Sequence, residues 1–185
     1  MIETLAILLI LAQLALIGTS IAFTFRLIRI YTGSGLVVPF VRTQARYFET
    51  IANALSIRDG DVVYDLGSGD GQFLVFCARR YPNARFIGIE RSRVLLFQAW
   101  IRMLLAQTHN LTFRRENFFL SDTRDATKMY AYLLPKIVAH LFEKRSGITL
   151  ASRAFPLSNR TPRTVIELSK KKGWHGEHLL YVYDL

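Results

Sequence analysis

At 185 residues the chain has room for one domain of ordinary size plus an N-terminal extension, and its single cysteine, Cys77, excludes an internal disulfide and fits a reducing compartment. The formal charge of +10 is carried by the later chain: the first 25 residues hold no Lys or Arg and one acid, Glu3, which leaves +11 on residues 26–185. Such a surface attracts anionic lipid, nucleic acid or acidic protein faces without choosing among them.

Thr4 to Phe25 is 22 residues without a charged side chain. As a helix it would be about 33 Å long at 1.5 Å per residue, enough for the roughly 30 Å hydrocarbon core of a bilayer. A cleavable signal would begin with basic residues and close on a small-x-small site; here Glu3 precedes the run and Arg26 and Arg29 follow it. These flanks predict an uncleaved single-pass anchor with its basic C-terminal side cytoplasmic, or facing the matrix in an organelle. The expected division is therefore residues 1–31, a transmembrane anchor with its basic flank, and residues 32–185, the catalytic domain. Thr32-Gly33-Ser34-Gly35 reads as a flexible joint between them, and Arg42 and Arg46 lie close enough to meet lipid headgroups.

Thr43 to Ile57 carries apolar residues at helical spacing and stops at the turn Asp59-Gly60. From Asp61 strand and helix patterns alternate. Strands are expected near 61–66, 85–90, 111–115, 125–133, 147–154, 163–168 and 178–184, and helices over 70–80, 92–107 and 134–145. Phe73, Leu74, Phe76 and Cys77 read as the buried face of the first of these helices. The alternation predicts an α/β fold with a mostly parallel sheet, and the polar stretch Ser169 to Glu177 between the last two strands suits an antiparallel hairpin. Ligands of such sheets bind beyond the C-terminal ends of the strands, where Gly67, Glu90, Asn117 and Tyr132 would gather.

The most informative stretch is Val62-Val63-Tyr64-Asp65-Leu66-Gly67-Ser68-Gly69-Asp70-Gly71, an apolar strand running into three glycines at alternate positions. A dinucleotide loop would leave helix N–H groups free for a pyrophosphate, whereas Asp65 and Asp70 place carboxylates there, which suits a cationic cofactor. Twenty-five positions after Asp65 a second apolar run ends in Glu90, where a carboxylate can accept both hydroxyls of a ribose. The spacing Asp-x-Gly-x-Gly-x-Gly resembles the glycine loop of class I S-adenosylmethionine-dependent methyltransferases. The resemblance implies a Rossmann-like, seven-strand methyltransferase sheet and S-adenosyl-L-methionine as cofactor, held by Asp65, Gly67, Ser68, Gly69, Asp70, Gly71 and Glu90. It also implies that Asn117, after the third strand, accepts from the adenine amine; as a residue, Asn117 reads equally as a turn former.

The strand Asp125 to Leu133, the later Phe155-Pro156-Leu157 and the N-terminal span together resemble small membrane-anchored protein lysine methyltransferases, including mitochondrial enzymes that modify the adenine nucleotide translocase and the c subunit of ATP synthase. Family members show Pro-x-Val-Pro-Thr before the first helix; Pro39-Phe40-Val41-Arg42-Thr43 keeps Thr43, which the resemblance places at the cofactor, and has Arg42 for the second proline. The resemblance implies a lysine on a membrane protein as acceptor. Tyr132, near the end of the fourth strand, is the candidate for the acceptor pocket, with Tyr130 its alternative; both also read as core aromatics. No Asn-Pro-Pro-Tyr tetrad, which grips planar nitrogens in this superfamily, follows the strand, so nucleic acid is disfavoured. A lipid, quinone or other small amphiphile is the rival acceptor, and a non-catalytic cofactor-binding module the third reading. His175-x-x-His178 lacks a third ligand and predicts no metal, and Lys170-Lys171-Lys172 reads as a solvated loop.

Overall fold

The computed structural model describes residues 2–32, 40–170 and 176–185. The chain forms two compact units, residues 1–37 and 38–185. The first is helix α1, Ile2–Thr32, which runs past the expected span through Arg26 and Arg29. Within it Ala6–Leu27 is long and apolar enough to cross a membrane and exposed throughout, a property of length and composition that signal sequences share.

The second unit opens with a 3-10 turn, Ala45–Tyr47, and helix α2, Phe48–Leu55, where one helix over 43–57 was expected. Ser56 stops it, entering the left-handed region at φ 51°. Then follow β1 Val62–Leu66, α3 Gln72–Arg80, β2 Arg85–Ile89, α4 Arg93–Ala106, β3 Leu111–Arg114, β4 Lys128–Ala131, α5 Pro135–Phe142, β5 Thr149–Arg153, β6 Thr164–Glu167 and β7 Leu179–Asp184. The seven strands are ordered β3-β2-β1-β4-β5-β7-β6. Strands β1 to β5 are mutually parallel, and β7 enters antiparallel between β5 and β6. This is the Rossmann-like methyltransferase sheet with its C-terminal antiparallel hairpin.

Strand β4 is shorter than the expected 125–133 because the residues before it bond through side chains instead of the ladder. Thr127 Oγ1 donates to Asp61 Oδ1 at 2.6 Å and accepts from Val62 N, while Asp125 accepts from the Tyr64 hydroxyl at 2.8 Å. Alternation sends successive strand residues to opposite faces. Val63, Phe86, Tyr130, Ala151 and Val182 pack with α2, α3 and α4, and Tyr64, Ile87, Met129, Leu150 and Tyr183 pack with α5. Asp65, two residues after Val63, therefore points toward the first of these layers.

Gly88 makes close layering possible on that face. It pairs in register with Asp65, and a Cβ there would lie 2.5 Å from the Phe113 ring and 2.7 Å from Ser68 Oγ. The sheet is thus thinned where the glycine loop folds over it. Gly88→Val should destabilise the domain by about 1–3 kcal/mol through overpacking, read as a lowered midpoint in urea denaturation.

Candidate active site

All parallel strands end at one edge of the sheet, and β1 lies between β2 and β4, whose chains leave in opposite directions. That is the switch point at which open α/β sheets bind ligands. The loop Gly67 to Gly71 fills it. Gly67 N and Ser68 N both donate to Ile89 O, at 2.9 and 3.0 Å, and tie the loop to the end of β2. Gly71 sits at φ 75°, and a Cβ there would overlap Phe113 and come within 2.9 Å of the Ala99 methyl of α4. A side chain is excluded there twice over, by conformation and by space.

Two acids define the electrostatics. Asp65 is buried, no ion pair among the described residues reaches it, and burial, with the nearby Glu90 carboxylate, pushes its pKa up to about 8. Glu90 is half-buried beyond β2, with Oε2 accepting from Gly69 N at 3.0 Å and Oε1 from Ser92 N at 2.7 Å. These bonds orient the carboxylate and leave lone pairs on both oxygens. Ser68 Oγ is buried over Gly88 without a partner. A buried carboxylate without a cation, an oriented acid and an unmet hydroxyl are the donor set that a cationic nucleoside would satisfy, so the residues present fit S-adenosylmethionine.

The structure places the other expected residues unevenly. Asp70 is turned away into an ion-pair cluster, 2.7 Å from Arg42 Nη2 and 3.2 Å from Arg102 Nη2, and Gln72 Nε2 donates to the same oxygen. Phe40 lies against Gly69, where a Cβ would overlap its ring, so the segment before α2 crosses the glycine loop. Thr43 Oγ1 is 2.9 Å from the Tyr130 hydroxyl, whose pKa burial raises. Asn117 follows β3, but its Oδ1 accepts from Phe119 N at 3.2 Å in a local turn. Tyr132 is half-buried just past β4. Lys171, Lys172 and His175 lie outside the described residues.

One residue that sequence reasoning passed over stands beside Tyr132. Arg153, at the end of β5, is buried with its guanidinium 4.5 Å from the Tyr132 ring centroid and 5.2 Å from that of Tyr47. Its Nε donates to Glu177 O at 3.1 Å, and Nη1 is buried without a partner. The signal was present in the sequence as a charged residue ending the otherwise uncharged run Ile148 to Ser152.

The fold and this acid-bearing loop define a class I S-adenosylmethionine-dependent methyltransferase. An RNA methyltransferase from Salinibacter ruber, solved in complex with S-adenosyl-L-homocysteine, superposes with a TM-score of 0.69 at 28% identity, covering 77% of this chain and 92% of that one. A SAM-dependent methyltransferase from Geobacter sulfurreducens shares the fold with a TM-score of 0.55 at 23% identity, over 69% of this chain and 54% of that one. The chain belongs to the family of the ANTKMT methyltransferase domain, which matches residues 65–164, more than half its length. It is 25% identical over 155 residues to a protein-lysine N-methyltransferase of Saccharolobus islandicus, across 79% of this chain and 92% of the relative. It is 28% identical over 131 residues to the ATP synthase C-subunit lysine N-methyltransferase of Caenorhabditis elegans, across 65% of this chain and 68% of the relative.

The burial of Asp65 has a measurable consequence. Its folded pKa is raised above the unfolded value near 3.9, so between roughly pH 4 and pH 8 the folded protein holds a proton that the unfolded chain has lost. Stability of the cofactor-free protein should therefore fall as pH rises across that window, by up to about 1.4 kcal/mol per pH unit. Thermal melts in a pH series should show this decline, and Asp65→Asn should flatten it.

Proposed function

We propose that this methyltransferase transfers a methyl group to a lysine side chain of a membrane protein, working from a bilayer anchor formed by residues 4–25. The observation that carries the reading is the Tyr132–Arg153–Tyr47 stack at the ends of β4 and β5, beside the glycine loop that fits the cofactor. Membership of the ANTKMT family and the two relatives named as lysine methyltransferases support the acceptor class. The apolar helix with its basic flank supports the anchor and an orientation in which the domain faces the cytoplasm or matrix.

S-adenosylmethionine, when bound, supplies a sulfonium-activated methyl group. In this reading the cationic cofactor draws the raised Asp65 pKa back down, so that Asp65 carries negative charge once the cofactor is bound, and Glu90 accepts from the ribose, while Gly67, Ser68, Gly69 and Gly71 keep the backbone close. Thr43 steadies the entry segment through Tyr130, and Asp70 acts from behind the loop by holding Arg42 and Arg102. Asn117 turns the chain beyond β3, with its amide at the adenine end. Little acid–base machinery is required, because displacement at a methyl carbon depends chiefly on alignment and exclusion of water.

The acceptor must lose its proton, and from a reference pKa near 10.4 that costs about 4 to 5 kcal/mol at neutral pH. Arg153 bears on that cost. A guanidinium stays protonated, so an incoming ammonium beside Tyr132 meets a like charge in a partly dry pocket, which favours the neutral amine. The aromatic faces of Tyr132 and Tyr47 can hold both the guanidinium and the alkyl stem of a lysine.

Two measurements test the parts separately. Glu90→Ala should remove two charge-assisted hydrogen bonds, each worth roughly 1.5 to 3 kcal/mol, and weaken cofactor binding at least tenfold by calorimetry; unchanged affinity would remove Glu90 from the site. Tyr132→Ala should lower kcat at least tenfold with little change in cofactor affinity. With labelled cofactor and a membrane fraction, peptide mapping should find methylated lysine, at a rate that rises toward alkaline pH. Label confined to lipid or quinone would replace the protein acceptor with a small amphiphile, and label confined to RNA would replace it with nucleic acid.

A further inference from the structure

Helix α4 is apolar on both sides. Leu95, Leu96 and Ala99 are buried against the sheet, while Phe97, Trp100, Ile101, Leu104 and Leu105 are 41% to 81% exposed. At 100° per residue these five occupy an arc of about 140° centred opposite the buried three, with Arg93 at its N-terminal end. The stripe is unbroken: positions 97, 100, 101, 104 and 105 follow the spacing of one helix face. Ordinary solvent-facing helices carry polar residues there. The helix lies at the β3 edge of the sheet, where no further strand follows.

The point at which the chain enters the domain lies alongside this helix. Arg42 and Arg102 bind the same Asp70 oxygen, and Arg102 belongs to α4. Seven residues separate the end of α1 at Thr32 from Phe40, a covalent reach of at most about 30 Å. If residues 4–25 cross a bilayer, that covalent reach tethers the domain close to its surface. We propose that the exposed face of α4 is a membrane-docking surface, lying in the headgroup–acyl boundary of an anionic bilayer. The composition fits that occupant: Phe, Trp, Ile and Leu on the face, with Arg93 at its N-terminal end to meet lipid phosphates. A second copy of the chain fits less well, since each copy carries a formal charge of +10.

The geometry gives docking a functional sense. A crossover helix runs antiparallel to its strands, so docking along α4 lays the sheet roughly in the plane of the membrane. Its C-terminal edge, with Glu90 and the glycine loop, then opens sideways at headgroup height. An acceptor carried by a membrane protein would approach laterally, without leaving the interface. This inference rests on the anchoring reading above, and the experiment separates the two.

Trp100 is one of two tryptophans in the chain, so Trp174→Phe leaves it as the sole reporter on the stripe. The full-length chain carrying that substitution is reconstituted into phosphatidylcholine–phosphatidylglycerol vesicles, part of whose phosphatidylcholine is brominated on the upper acyl chain. Trp100 fluorescence should be quenched by the bromolipid and shielded from aqueous iodide. Adding Leu104→Glu and Leu105→Glu should at least halve the bromolipid quenching, while circular dichroism and cofactor affinity in detergent stay unchanged. Quenching by iodide alone would overturn the proposal by placing the face in water. Shielding from both quenchers would overturn it by showing protein on the face, and quenching that survives the two glutamates would overturn it as well. Alkaline carbonate treatment of the same vesicles reads the anchor independently: extraction of a chain whose Trp100 is quenched sinks the anchor alone, and retention without quenching sinks the docked face alone.

Discussion

The C-terminal edge of the sheet is built around a carboxylate that folding buries without a counter-ion among the described residues. Asp65 could have been paired by any nearby arginine, and the chain has them in plenty, yet the arginines close to the loop are committed elsewhere: Arg42 and Arg102 to Asp70, and Arg153 to the Tyr132 and Tyr47 rings. Glu90 adds a second negative group, held by backbone N–H donors instead of a cation. A lone charge buried this way would cost several kcal/mol, so burial drives the carboxyl toward its protonated form, with its pKa up to about 8. The neighbouring elements follow from keeping that position intact: glycines that let the loop close over it, Gly88 that lets Phe113 slide beneath, and Ile89 O that fixes the loop to β2.

Charge is distributed by position more than by number. The surface is strongly basic, while the site itself is acidic at the β1–β2 end and cationic at the β4–β5 end. That polarity suits a reaction in which a cationic donor must be held and a cationic form of the acceptor must be discouraged. Strand β4, which lies between β1 and β5, keeps Arg153 from neutralising Asp65, and aromatic rings insulate the guanidinium.

Local spacing carried most of what could be read before the structure. The Asp65-to-Gly71 loop and Glu90 were legible because each turn and each strand end is set by residues within a few positions, and seven strands in mostly parallel order follow from alternation. The bounds of β4 were not, since Thr127 and Asp125 bond to residues about sixty positions earlier. Nor was the role of Asp70. Its place in the glycine motif suggests a carboxylate facing the ligand, and only the fold brings Arg42 from one side and Arg102 from the other to turn it away. Asn117 shows the opposite ambiguity: the same amide oxygen serves a ligand or a turn, and it accepts from Phe119 N. Arg153 is not legible in the sequence, because a lone charge after an apolar run marks the end of a strand as readily as a buried site.

The shared carboxylate of Asp70 also makes three parts of the molecule mechanically interdependent. It belongs to the glycine loop, it holds the segment through which the chain enters the domain, and it holds the middle of α4. The entry segment, the loop and the outer helix thus share one set of polar contacts. Thermodynamic reciprocity then applies to whatever engages each end: a ligand that stiffens the loop biases the helix by as much free energy as contact on the helix biases the loop. Binding at the glycine loop is thereby linked, through a single carboxylate, to the outer layer of the fold.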